Sequence, residues 1–125
     1  MNILLVALGG AIGAAVRYLA GVFIGMRLGP DFPWGTFIIN VSGSFFIGMV
    51  LVLTEEGVLP AGARLFLAVG VLGGYTTFST YSYETLQLLT SGEPETAALN
   101  TLGQVVAGLA AVYLGVIVAR ALKGP

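Results

Sequence analysis

Neither cysteine nor histidine occurs among the 125 residues, and charged side chains make up only 9%. Without cysteine there are no disulfides, no thiol nucleophile and no thiolate metal site, and the redox compartment cannot be read. Without histidine there is no imidazole acid–base chemistry. A soluble domain carries about 25% charged residues, so the shortage of charge points to a membrane protein. Five Lys and Arg stand against six Asp and Glu, for a net charge of −1. That balance gives no basic footprint for nucleic acid.

What the chain has instead is apolar surface. It is 57% hydrophobic, with a mean hydropathy of +0.97. Its 19 glycines read, in a membrane chain, as sites of close helix contact rather than disorder. The length allows one domain, here a single integral membrane domain over residues 1–125. About 20 residues cross a bilayer, and four runs qualify: roughly 3–26, 34–53, 61–90 and 96–122. The first is a poor signal peptide, since no cationic segment precedes it and Arg17 interrupts it. A charge inside a span costs about 3 kcal/mol or more unless it meets a partner or water, so Arg17 either does so or snorkels to an interface. Trp34 suits the interfacial aromatic belt. Asn40, in the second span, needs a partner for its amide; it either joins two helices or serves a site. In the fourth span Gly103, Ala107, Ala111, Gly115 and Ala119 recur every four residues as a packing ladder. Apart from that ladder, Asn100, Thr101 and Gln104 near the start of the span, and Tyr113 further on, are polar residues that could face something wet.

Residues 73–84, Gly-Gly-Tyr-Thr-Thr-Phe-Ser-Thr-Tyr-Ser-Tyr-Glu, organise the rest. They fall inside the third apolar run, where two glycines precede hydroxyl and β-branched residues that hold a helix poorly. A glycine pair is a common place for a helix to kink or break. In hydrocarbon each freed backbone group costs several kcal/mol, so broken backbone survives only against protein, water or an ion. The expected fold is therefore an all-α membrane protein of four transmembrane helices, the third broken near its middle.

Four spans place both termini on one side with Arg64, Arg120 and Lys123, against Arg27 on the other. This weak bias permits insertion both ways up, and an antiparallel homodimer is then the natural closed assembly. Two copies meeting at their breaks would bring carbonyls around Gly73 and Thr76 into a ring suited to sodium. Thr77, Ser79, Thr80 and Ser82 offer hydroxyls, and Phe78 and Tyr81 lie three apart on one helical face. Ring edges carry partial positive charge, so with Asn40 and Arg17 the inventory favours a small, strongly hydrated anion. Taken singly, the rings also fit plain packing, the hydroxyls fit bonds to their own helix carbonyls, and Glu84 fits snorkelling.

The same stretch closely resembles the GGxTTFSTFSxE signature of the Fluc/CrcB fluoride channels. Residues 35–45, Gly-Thr-Phe-Ile-Ile-Asn-Val-Ser-Gly-Ser-Phe, are similar to that family's second-helix motif, and residues 9–18 to its first. The resemblance covers the whole chain. It implies a dual-topology antiparallel homodimer with two pores, exporting fluoride passively across the inner (cytoplasmic) membrane. It further implies a structural sodium ion held by backbone oxygens of Gly73 and Thr76, with Phe78 and Tyr81 as pore aromatics. Asn40 would donate an amide proton, Ser79, Thr80 and Glu84 would form a polar track, and Arg17 would stand in the vestibule. Position 81 departs from the family, being Tyr where Phe is common.

Two other classes compete. A proton-coupled small multidrug-type exporter of cationic compounds shares this size and topology, but needs a carboxylate in the first span, and residues 2–26 contain none. An accessory subunit would leave the broken helix unexplained. An enzyme is not expected, because Ser79 has no His or Lys base near it and no carboxylates pair in mid-membrane.

Overall fold

The computed structural model describes residues 1–124; Pro125 and the side chain of Lys123, with its place in the charge balance, lie outside the described residues. Helix α1 spans Asn2–Leu28 and α2 spans Trp34–Glu55. Helix α3 covers residues 61–75 and α4 covers Phe78–Thr90, the two together making one apolar crossing. Helix α5 spans Pro94–Lys123. All four crossings are long and apolar enough to span a bilayer, and no strand occurs among the described residues. The chain is a multi-pass, all-helical membrane protein.

The helix ends follow local chemistry. Gly29, at φ 80°, closes α1 by donating its amide to the Gly25 carbonyl at 3.1 Å; only glycine takes that conformation without strain. Phe32, Trp34 and Phe37 stack across the following turn, the first two with ring centroids 4.8 Å apart. Pro94 opens α5, with Glu95 in its first turn beside the positive end of the helix dipole.

The packing inverts that of a soluble protein. Leu4, Leu109 and Leu122 are more than 60% exposed, whereas Asn100 is fully buried and Thr36 nearly so. Lipid is as apolar as leucine, so burying leucine gains little, and close backbone approach holds the helices instead. Helix α1 lies along α3, and α2 along α5. A Cβ on Gly13 would land on the Val71 carbonyl oxygen, one on Gly48 on the Val112 carbonyl oxygen, and one on Gly115 on the Phe45 carbonyl oxygen. The small-residue ladder of α5 is thus the surface on which α2 rests.

One feature differs from the sequence expectation. The glycine pair does not break the helix: Gly73 is helical at φ −63°, ψ −36°, and Gly73–Tyr75 continue the coil. The interruption falls just beyond, where Thr76 (ψ 157°) and Thr77 (φ −150°, ψ 112°) are extended. Gly74 is small for a different reason, because a Cβ there would meet the Gly10 carbonyl oxygen at 2.5 Å. Upstream, Arg64–Leu72 is wound as a π-helix. Such widened turns are uncommon and concentrate at functional sites.

Substituting alanine for Gly13 or Gly115 is expected to lower stability by about 1–3 kcal/mol, the range for overpacking. The measurement is loss of the monodisperse species on heating in detergent. Gly25→Ala, with no atom of another helix among the described residues within 4 Å of the added carbon, should leave the melting point in place.

Candidate functional site at the helix break

Extending Thr77 strips its N–H and C=O of helical partners, and Asn40 on α2 supplies both. The Thr77 amide donates to Asn40 Oδ1 at 2.8 Å, and Asn40 Nδ2 donates to the Thr77 carbonyl at 3.0 Å. One primary amide thus pairs with the backbone groups of one residue, satisfying groups that would each cost several kcal/mol in hydrocarbon. Thr77 also caps α4, its Oγ1 accepting from the Thr80 amide at 3.2 Å. Because the Thr77 amide goes to Asn40, the Gly73 carbonyl loses the donor that a continuous helix would give it.

Asn40 is the first link of a longer chain. Its Nδ2 donates a second bond to Gln104 Oε1 at 2.8 Å. Gln104 Nε2 donates to Asn100 Oδ1 at 3.0 Å, and Asn100 Nδ2 to Thr85 Oγ1 at 3.0 Å. Thr85 closes the circuit on the Tyr81 carbonyl at 2.8 Å. The path leaves the start of α4, crosses α2 and α5, and returns to α4 two turns later.

Two cavities flank the break. One, of about 390 Å³, is walled by Asn40, Ser44, Gly73, Thr76, Thr77, Phe78, Tyr81 and Gln104 among others. The other, of about 600 Å³, is walled by Arg17, Tyr18, Trp34, Thr36, Thr77, Thr80 and Glu84 among others. Thr77 lines both and stands between them. In the first, the Phe78 and Tyr81 rings lie 5.5 Å apart and tilted by 47°, with Phe78 78% exposed. In the second, Thr36 donates to Glu84 Oε1 at 2.8 Å, while Glu84 Oε2 is buried with no hydrogen-bond partner among the described residues.

The structure therefore brings Asn40, Gly73, Thr76, Phe78 and Tyr81 to one side of the break, and Arg17, Thr80 and Glu84 to the other. Ser79 lines neither cavity; its hydroxyl pairs with Thr77 Oγ1 at 3.2 Å. Thr36 and Thr85 escaped sequence reasoning, since nothing in a lone threonine reveals its partner. Asn100 and Gln104, four apart in an apolar span, were visible as polar residues, but not their joining to Asn40. Tyr113 is 67% exposed, away from this network, and Thr101 bonds back to the Ala97 carbonyl. No cluster of three or more acidic metal ligands occurs among the described residues.

Four apolar crossings, with largely apolar cavities that carry a few polar side chains on either side of an interrupted helix, define a small multi-pass membrane protein whose polar groups gather at the break. The chain belongs to the CrcB family: the family described as "CrcB-like protein, Camphor Resistance (CrcB)" matches residues 4–116. It is 53% identical over 121 residues to a Thermus thermophilus protein named "Fluoride-specific ion channel FluC", covering 97% of this chain and 95% of that one. It is 50% identical to a Roseiflexus protein of the same name over 98% of this chain and 99% of the other. A Nitrobacter winogradskyi relative, also so named, is 48% identical over 96% of each chain. These names describe channels, not catalysts, in agreement with the expectation of no enzyme, and they do not favour a multidrug exporter.

Asn40→Ala should leave both Thr77 backbone groups unpaired, at about 1–3 kcal/mol each. The Thr77 amide is then expected to exchange its hydrogen at least tenfold faster, read by deuterium exchange, while amides of α1 keep their rates.

Proposed function

We propose that this chain forms a fluoride-selective channel that lets fluoride leave the cell passively across the inner (cytoplasmic) membrane. In this reading it works as an antiparallel, dual-topology homodimer with two pores and a structural sodium ion at its centre. The observation that carries the reading is the clamped break, with an aromatic-walled cavity holding a few polar side chains on one side and an Arg17-containing cavity on the other. The function named for the relatives supports it.

A fluoride ion sheds tightly held water only where other donors replace it. Helix α4 begins at the break, and the amides of Phe78 and Ser79 in its first turn have no acceptor within the helix. That positive end favours an anion. The edges of Phe78 and Tyr81 add partial positive charge, and Thr80 continues the polar lining on the vestibule side. Arg17 raises the local anion concentration at the mouth, and Asn40 holds the break in place between the two cavities. Glu84, tied to Thr36, leaves one carboxylate oxygen for exchange with the polar track.

Sodium fits the oxygens present. The Gly73 carbonyl is released by the break, and the extended Thr76 carbonyl belongs to the same interruption. A hard cation takes about six or more oxygen ligands, more than one copy offers here. A second copy across a two-fold axis would double the set and cover the exposed Gly73 edge. The ion would then fix the two breaks against each other.

Liposomes holding the purified protein should release internal fluoride when a potassium ionophore shunts the charge, with chloride released far more slowly. Equal rates for the two ions would overturn selectivity, and fluoride retention would overturn the channel itself. Phe78→Ala is expected to slow fluoride by about tenfold or more with the assembly intact, the loss of one favourable contact in the rate-limiting step.

A further inference from the structure

Helix α2 holds the break from a second side, at the residue just before it. Tyr75 is the last residue of α3, and the GGxTTFSTFSxE signature leaves its position open. Its hydroxyl lies 3.0 Å from Ser42 Oγ on α2, 33 residues earlier in the chain. Ser42 Oγ also donates to the Ile39 carbonyl at 3.1 Å. That carbonyl can only accept and serine has one hydrogen, so both bonds form together only with Tyr75 donating to Ser42. The Tyr75 ring walls an apolar cavity of about 350 Å³ with Val16, Phe46, Leu67 and Val71 among others. Its hydroxyl has no other hydrogen-bond partner among the described residues, and without Ser42 it would stand unpaired in apolar surroundings.

Three consecutive residues therefore rest on one stretch of α2. Asn40 pairs with both backbone groups of Thr77. Gly43 faces the Thr76 methyl and the Tyr75 ring, whose Cδ1 lies 3.3 Å from where a Cβ on Gly43 would stand. The missing side chain lets the ring cross α2 to reach Ser42. Behind Tyr75 stands α1, where a Cβ on Gly13 would come within 2.9 Å of the Tyr75 nitrogen. The Thr76 amide and hydroxyl both donate to the Leu72 carbonyl, at 3.0 and 2.9 Å. The Gly73 and Thr76 carbonyls take no donor among the described residues, and both residues line the cavity of the pore aromatics.

We infer that Tyr75 is a positioning residue for the sodium site at Gly73 and Thr76, its hydroxyl latched to Ser42 so that the two carbonyls keep one direction. The inference rests on the sodium reading above and deepens it. Carbonyls select among cations by the size and stiffness of the cavity they form, and an extended Thr76 has no helical turn of its own to stiffen it. With Thr77 alone held, turns about the backbone bonds of Thr76 would swing the carbonyls. Holding Tyr75 as well removes that freedom.

The melting temperature of the purified protein in detergent, titrated with sodium against N-methylglucamine at constant ionic strength, reads the site, because an ion bound only by the folded form raises it. Wild type is expected to rise with sodium and to rise less with potassium. Tyr75→Phe keeps the ring and removes the hydroxyl, and Ser42→Ala removes the acceptor. Each should raise the sodium concentration for the half-maximal rise by about threefold to tenfold, the effect of one hydrogen bond, and narrow the preference over potassium. Combining them should add little, since both remove the same bond. A lower sodium-free melting temperature with an unmoved sodium midpoint would make the latch a brace for folding alone, and overturns the inference. So does failure of both variants to fold; if one fails, the other decides. A wild-type melting temperature indifferent to sodium brings down the sodium reading and this inference with it, whereas unmoved midpoints beside a sodium-stabilised wild type bring down only the role of Tyr75.

Discussion

The pairing of the Asn40 amide with the backbone of Thr77 is the interaction on which the rest depends. A helix cannot stop in mid-membrane unless something takes up the hydrogen bonds it drops. Water does this at a protein surface; here a side chain from α2 does it. Once Thr77 is held, α4 has its cap, the Gly73 carbonyl is released, and cavities form on both sides of a single residue. The break is thus a built feature, and its builder lies 37 residues away in the chain.

The glycines serve that feature at a distance. With lipid outside, large apolar residues face outward and gain little by turning in, so cohesion rests on backbone against backbone. Gly13 against Val71, Gly74 against Gly10 and Gly43 against the Thr76 methyl draw α1 and α2 tight around the first half of the third crossing. Gly48 and Gly115 lock α2 onto α5. Together these contacts bring Asn40 within reach of both Thr77 and Gln104. Rigid placement matters because an amide chain keeps its polarity only while every link stays within hydrogen-bond distance.

The site is economical in charge. Anion passage is proposed to rely on partial charges, from ring edges and helix-end amides, rather than on a fixed cation beside the rings. Arg17 stands in the larger cavity, where in the proposed reading it would attract an anion without holding it. A full positive charge beside the rings would bind a small anion too tightly to release it, and conduction requires that the ion also leave. The circuit through Gln104, Asn100 and Thr85 ties α2, α5 and α4 together without adding charge.

The residues alone determined a great deal. Four apolar runs, a shortage of charge and small residues at four-residue spacing determine a four-span helical membrane protein, because hydrocarbon permits little else. The motifs at residues 9–18, 35–45 and 73–84 determined the family, and the crowding of hydroxyls and rings after Gly74 marked the stretch where the third crossing is interrupted. Tertiary structure decided where the helix breaks. The glycine pair carried the strongest local signal for a break, yet it stays coiled, because α1 packs against it and Asn40 captures Thr77 just beyond it. Tertiary structure also decided which polar residues belong together: helical spacing gives a side chain its face, but not the helix which that face will meet. Asn40 and Gln104 lie 64 residues apart, and only the close approach of α2 and α5 makes them one network.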